Sequence, residues 1–387
     1  MISDNDAMKD LKKISAYAGD RVDLVQAGGG NTSIKTPDKM MHIKASGFKL
    51  RDIAGGEGVA SVDCRPIMKN DTDGDSLQFQ YPTPEQFMCW EQSSVNSNKS
   101  MRPSIEVSMH ALLGNLVLHT HPVIAAAFLC IEDSRLLLDS IFHGKIEFLY
   151  VPYAKPGMEL AILLMESLKT IEKESLARPA VIFLENHGLV IHGNVAEEVI
   201  TIHENVLNIL RSYNEGELQV PDFELFDPEP KIAPNILNAI KAAIPELSYL
   251  TCIHAINSTE NRTKSIVGYS GNGLLFPDAA VYCGAGSIEL SVENRDSIKT
   301  VEGEVSQYRE AWCQPPRILK ADDFFICAGK NRSDAQAVAE VWWAHEATAL
   351  FAGRIGSLRY LPLWRIHELL NWEAEIYRKK LSAERAL

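Results

Sequence analysis

Apolar and polar positions in the first half of the chain follow two alternating periods. Period-two or continuously apolar runs, "MHIKASG", "LVLHTH", "IEFLYVPY" and "AVIFLENHGLVIHG", predict strands. Between them, three-to-four spacing in "PSIEVSMHALLG", "GMELAILLMESLKTIEK" and "AEEVITIHENVLNILRSYNE" predicts helices. The alternation specifies an α/β fold with a central β-sheet flanked by helices. The stretch "GELQVPDFELFDPEPKIAP" is rich in proline and acid, lacks helical period and predicts a linker. After it, "PNILNAIKAAIPEL" predicts a helix, "GLLFPDAAVYCG" and "DDFFICAG" predict strands, and "DAQAVAEVWWAHEATALFAG" and "PLWRIHELLNWEAEIYRKKL" predict long helices. The chain has 387 residues, too many for one ordinary core. The expected organisation is an α/β domain over residues 1–215, a linker over 216–230 and an α/β companion domain over 231–387.

The companion shows a faint similarity to the first domain. "FLENHGLVIHGNVAEEVITIHENVLNIL" and "FFICAGKNRSDAQAVAEVWWAHEATAL" share a strand, a glycine turn and a helix with His-Glu, at His203-Glu204 and His345-Glu346. A degenerate second copy and chance both account for this. Either way the second stretch lacks "ENHG", and with it any counterpart of His187.

Composition narrows the partners. A 46% hydrophobic and 23% charged chain is an ordinary globular one. The net charge of -13 sets nucleic acid and anionic membrane aside as main partners, while a small anion needs only a local cluster of donors. The first residues carry no apolar core of signal-peptide type, and no stretch reaches membrane-span length. Seven cysteines are scattered without C-x-x-C spacing, which suits free thiols in a reducing compartment, with the cytoplasm as the expected location.

The chemistry concentrates in a few short stretches. In "LHTHP", His119 and His121 stand one residue apart, so on a strand they share a face, and Pro122 ends the ladder. "LENHGLVIHG" adds His187 in the turn of an expected hairpin, beside Gly188, which permits close backbone approach. Three neutral imidazoles make a tripod for a zinc ion that keeps an open position, the arrangement of a catalytic site. His192, five residues on, ranks behind His187 as the third ligand. "RPSIEVSMHALL" reads as a helix starting near Pro103 and Ser104, with Glu106 in its first turn as a candidate proton carrier or ligand. His110, on the same face, reads as a buried supporting histidine. "QAGGGNTSIK" offers Gly29, Gly30, Asn31 and Thr32 to cradle a phosphate, and "IKASGFKL" adds Lys44, Ser46 and Gly47. Neither has the spacing of a Walker or dinucleotide-binding loop.

Taken in order, "GGGNTSIK", "IKASG", "RPSIE", "HTHP" and "NHG" resemble the class II aldolase/adducin family over about residues 8–215. With "VPYAKPGMELA" and "LLNWEAEIYRKKL", the wording most resembles the aldolase portion of rhamnulose-phosphate aldolase/alcohol dehydrogenase proteins. No dinucleotide fingerprint accompanies it, so the dehydrogenase activity is not expected. The resemblance implies zinc, or another divalent transition metal, on His119, His121 and His187, with Glu106 as catalytic acid/base. It implies phosphate binding by Gly30, Asn31, Ser46, Gly47 and Ser104, and an assembly of identical subunits. The reaction implied is reversible cleavage of a ketose 1-phosphate to dihydroxyacetone phosphate and an aldehyde. Tyr153 in "VPYAKPG" is the candidate for the second proton transfer. Fuculose-phosphate aldolases read Ser-Ser-Glu where this chain reads Ser104-Ile105-Glu106, so one hydroxyl is missing, and Lys35 or Lys44 are candidates to compensate. The alternatives are a 4-epimerase, although the family's epimerases place Asp at Glu106, and a non-catalytic sugar- or metal-binding module.

Overall fold

The computed structural model describes residues 4–67, 69–70, 79–97, 101–173, 178–213, 219–229, 231–256, 273–290, 297–321 and 323–372. The chain divides into two compact units. The first comprises Met1–Ala125 and Arg135–Glu217; the second comprises Ala126–Ser134 and Leu218–Leu387.

The first unit begins with helix α1 (Asp4–Gly19), strands β1 (Asn31–Lys35) and β2 (Met40–Lys44), helix α2 (Leu50–Gly55) and strand β3 (Val59–Asp63). A two-stranded ribbon, β4 (Lys69–Asn70) and β5 (Phe79–Gln80), precedes helices α3 (Pro84–Ser97) and α4 (Val107–Ala111). Strand β6 (Leu116–Thr120) leads through α5 (Val123–Leu129) and α6 (Ser134–Phe142) to β7 (Phe148–Val151) and α7 (Met158–Lys173). The hairpin β8 (Val181–Leu184) and β9 (Gly188–Gly193) then feeds α8 (Ala196–Arg211). The sheet order is β3-β2-β1-β6-β9-β8-β7, and only β7 and β8 are parallel.

Strand alternation assigns the faces of this sheet. On β1, Asn31, Ser33 and Lys35 point toward α4, while Thr32 between them meets Ser15 of α1 at 2.7 Å. The Lys35 ammonium is buried and donates to the carbonyls of His110, Leu113 and Gly114 at 2.8–2.9 Å, and its burial pushes its pKa down to about 8. It therefore closes the C-terminal end of α4, where orphan carbonyls need donors. The core on this side joins β2, β3, α3, α4 and α7 through residues such as Met41, Phe87, Val107 and Leu164.

Helix α4 starts later than its sequence predicts. Glu106 is its N-cap residue, and the Ser104 hydroxyl accepts the Glu106 N–H at 3.3 Å. That local turn occupies the residues expected to form the first helical turn.

The second unit holds α9 (Pro234–Ala243), β10 (Tyr249–His254), α10 (Pro277–Cys283), β11 (Ser287–Glu289), α11 (Ser297–Trp312), β12 (Ile318–Ala321), β13 (Phe324–Gly329), α12 (Arg332–Ile355) and α13 (Leu363–Leu370). "GLLFPDAAVYCG" contains α10, not the expected strand: Pro277 opens the helix, Asp278 lies in its first turn, and the run is buried all round. A continuously buried run carries no period to separate strand from helix. The segment 126–134 joins this unit through Glu132 N–H to Ser357 O and Arg359 N–H to Cys130 O, at 2.9 and 2.8 Å. The part of "LLNWEAEIYRKKL" beyond Trp372 lies outside the described residues.

The second sheet, β10-β13-β12-β11, repeats the order and directions of β6-β9-β8-β7: antiparallel, antiparallel, parallel. Matching the strand ends Gly193 and Gly329 brings every register into agreement. Under that match the place of His203 falls on Ala339, so the two His-Glu dipeptides are not structural counterparts.

Candidate metal centre

His119 and His121 leave one face of the end of β6, and His187 lies in the turn between β8 and β9. The strands become neighbours because β6 pairs with β9, Thr120 opposite Leu189. The turn is tight: Leu184 pairs with Gly188, His187 N–H bonds Leu184 O at 3.1 Å, and Asn186 takes a left-handed conformation at φ 49°. Asn tolerates that conformation better than most residues.

The three ring centroids stand 4.8–5.1 Å apart, and one nitrogen from each ring lies within 4.8 Å of the others. His119 Nε2 and His121 Nε2 are 3.0 Å apart, close to the spacing of about 3.3 Å between two nitrogens on one tetrahedral zinc. His119 is fully buried and donates Nδ1–H to Leu189 O at 3.1 Å, which leaves Nε2 bare and aimed into the cluster. Among the described residues, these three histidines are the group that meets the geometry for holding an ion.

Glu106 closes the cluster. Its Oε1 lies 3.4 Å from His119 Nε2 and 3.2 Å from His187 Nε2, yet it is buried and accepts no well-aligned hydrogen bond. Its other oxygen accepts from the Asn31 amide, whose strand position lies opposite His119. Burial raises the carboxyl pKa, but the facing His119 and His187 outweigh it and hold the group well below the usual range. Burial lowers the pKa of His187, against the pull of Glu106. The imidazole nitrogens of His119 and His187 around an orphaned carboxylate oxygen form a donor set that a divalent cation would satisfy.

Other sequence candidates occupy distinct places. His192 lies opposite Val117, partway back along β9, so it is not brought to the cluster. His110 bonds Ser33 Oγ at 2.8 Å, and burial takes it down to about 3, so it stays neutral. Thr32 does not join the site, because its hydroxyl serves Ser15 on the opposite face. Lys44 reaches the loops as a strut: its ammonium donates to Gly28 O and Phe48 O at 2.8 and 3.0 Å. Lys35, as described, caps α4.

The three donor-rich stretches are zipped together nonetheless. Ala45 bridges Pro103, Ser46 N–H bonds Arg102 O at 2.8 Å, and Ser104 N–H bonds Lys44 O at 3.1 Å. Gly30 takes φ +66°, and a side chain there would meet the His119 carbonyl at 2.9 Å. Ser46 and Ser104 therefore sit on paired backbone stretches, with Ser104 two residues before Glu106. Tyr153 follows β7; Glu185, two residues before His187, holds its N–H at 2.9 Å and takes the Tyr150 hydroxyl at 2.8 Å. No motif marks Glu185 or the Leu189 carbonyl in advance, although both adjoin "NHG".

In the second unit, register puts Cys252 at the place of His119, His254 at that of His121, and Phe226 at that of Asn31. Its β12–β13 turn is one residue shorter than the β8–β9 turn, and the same match puts the exposed Asp323 at the place of His187.

A helix-flanked sheet with a histidine tripod at a strand end, two of its rings buried, and one carboxylate behind it defines an α/β protein with a candidate metal centre. Residues 16–213 match the Class II Aldolase and Adducin N-terminal domain, and the chain belongs to that family. Three solved structures illustrate the similarity. The N-terminal class II aldolase domain of a conserved protein from Thermoplasma acidophilum is 24% identical, with 55% of this chain covering 94% of that one at TM-score 0.42. YgbL from Klebsiella pneumoniae, a putative aldolase/epimerase/decarboxylase, is 17% identical over 55% of this chain and 90% of that one, at 0.38. An L-fuculose 1-phosphate aldolase is 19% identical over 55% and 86%, at 0.34. No curated protein matches. No helix among the described residues is long and apolar enough to cross a membrane.

Proposed function

We propose that this chain is a zinc-dependent aldolase that reversibly cleaves a ketose 1-phosphate to dihydroxyacetone phosphate and an aldehyde. The observation carrying the proposal is the convergence of His119, His121 and His187 on one another, with the orphaned Oε1 of Glu106 facing His119 and His187. The three imidazoles would hold the ion. When bound, it supplies a Lewis acid that stabilises negative charge on the substrate's carbonyl oxygen as the carbon–carbon bond breaks.

Glu106 moves the proton. Held ionised, it is the base that takes a proton from the carbon of dihydroxyacetone phosphate in synthesis; in cleavage the carboxyl would start protonated, having drawn its proton from solvent, and give it to that carbon. The Asn31 amide fixes the carboxylate by binding Oε2 and leaves Oε1 toward the reacting centre. Gly29, Gly30, Ser46, Gly47 and Ser104 would bind the phosphate, with Asn31 shared between that loop and Glu106. Tyr153 would give its phenol proton to the aldehyde oxygen in synthesis and, as the phenolate, take the proton from the hydroxyl of the departing aldehyde in cleavage.

The test is a panel of ketose 1-phosphates in a coupled assay for dihydroxyacetone phosphate, with chelated protein and with zinc restored. Zinc-dependent release of dihydroxyacetone phosphate from one of them is expected. No release from any, with or without zinc, would overturn the proposal. Consumption of a ketose phosphate with no such release would identify an epimerase.

A further inference from the structure

Each residue of the His119-Thr120-His121 run is held by a separate bond. His119 donates Nδ1–H to Leu189 O, and His121 donates its backbone N–H to Leu24 O at 2.8 Å. Thr120 points the other way, off the opposite face of β6, and its hydroxyl lies 2.7 Å from Nε2 of His203 on α8. The cluster around His119 and His121 uses neither Thr120 nor His203.

His203 is fully buried and belongs to a longer chain of bonds. Its Nδ1 lies 2.8 Å from the Tyr17 hydroxyl on α1. Tyr17 donates to Glu204 Oε1 at 2.7 Å, and Arg21 Nη1 donates to the same oxygen at 2.6 Å. Burial pushes His203 down to about 3, so the ring is neutral and carries one proton. The direction of every bond follows. Tyr17 has spent its proton on Glu204, so it accepts Nδ1–H from His203, and the bare Nε2 accepts the Thr120 O–H. The chain then returns to the metal strand. Arg21 pairs with Asp23 at 3.3 Å, and the carbonyls of Asp23 and Leu24 take the N–H groups of Val123 and His121. Thr120 is thus clasped from its side chain, and His121 from its backbone, by one connected network.

We infer that Thr120 and His203 are positioning residues of the metal centre, their bond setting the rotation of the strand end that aims His119 and His121. This rests on the proposed metal site. A strand end free to twist would turn both imidazoles together, because they share a face and are only two residues apart. The competing role is docking of α1 and α8 on the sheet, which would affect stability alone.

The test uses the full chain and Co²⁺ as the probe, with affinity measured by competition, the visible ligand-field spectrum, and the melting midpoint. Thr120→Val keeps the branched shape and removes only the hydroxyl; His203→Phe removes the acceptor; Thr120→Ser keeps the bond. Partners of metal ligands affect affinity by about 10–100-fold, and Thr120→Val and His203→Phe should each weaken Co²⁺ by about tenfold, with an altered spectrum. The double variant should be no weaker than the worse single one, and Thr120→Ser should bind as the parent does. Parental affinity and spectrum in Thr120→Val, with only the melting point lowered, would overturn the inference while leaving the metal site standing. Failure of the parent protein to bind Co²⁺ would overturn the metal site itself, and the inference with it.

Discussion

Gly188 lies against the carbonyl of Thr120 so closely that a Cβ on Gly188 would stand 2.5 Å from that oxygen, and 2.9 Å from His121 Cδ2. The hairpin carrying His187 can approach the strand carrying His119 and His121 only because that side chain is absent. Gly188→Ala should therefore push β9 from β6 and open the tripod. Overpacking of this kind costs about 1–3 kcal/mol, so the protein should fold with a lowered melting point and lose most of its bound metal. Full metal content in a well-folded Gly188→Ala protein would show that the contact is not limiting.

Metal analysis of single histidine variants separates ligands from neighbours. His121→Ala and His187→Ala should each lose most of the metal, whereas His192→Ala should keep it, since His192 sits back along β9 opposite Val117. Retention in both tripod variants would remove the basis for a single centre.

Glu106→Gln keeps the size and the Asn31 contact but cannot carry a proton. It should bind metal with the same stoichiometry and lose about 10²–10⁴-fold in turnover. Metal lost together with the carboxylate would make Glu106 a ligand.

Acid should destabilise the metal-free protein in a defined window. Burial takes His110 and His203 from the usual 6.5 down to about 3, so between those values the unfolded chain binds protons that the folded chain does not. Stability is then complete above about pH 6.5 and falls as the pH drops toward 3, at about 1.4 kcal/mol per pH unit for each ring. The urea midpoint should be lower at pH 5 than at pH 7, and an unchanged midpoint would contradict the buried neutral rings.

The sequence alone determined which residues are the candidate ligands and their local geometry. The i, i+2 spacing of His119 and His121 puts both rings on one face of a strand, and "ENHG" closes a turn that presents His187. These are short-range facts, set by backbone period and by what Asn and Gly tolerate. Tertiary structure decided which polar partner each buried group would find. Thr32 and Lys44 stand in the donor-rich stretches and Lys35 is a candidate to compensate for the missing hydroxyl, yet Thr32 serves Ser15, Lys35 the end of α4, and Lys44 the glycine loop. Asn31 alone of the glycine-loop donors reaches Glu106. The reason is that a buried donor must be satisfied by whatever acceptor the strand order brings beside it. That order rests on pairings such as Asn31 with His119 and Thr120 with Leu189, far apart in the chain. Local period likewise could not tell that "FPDAAVYCG" forms a helix, because burial on all sides erases the pattern that would have shown it.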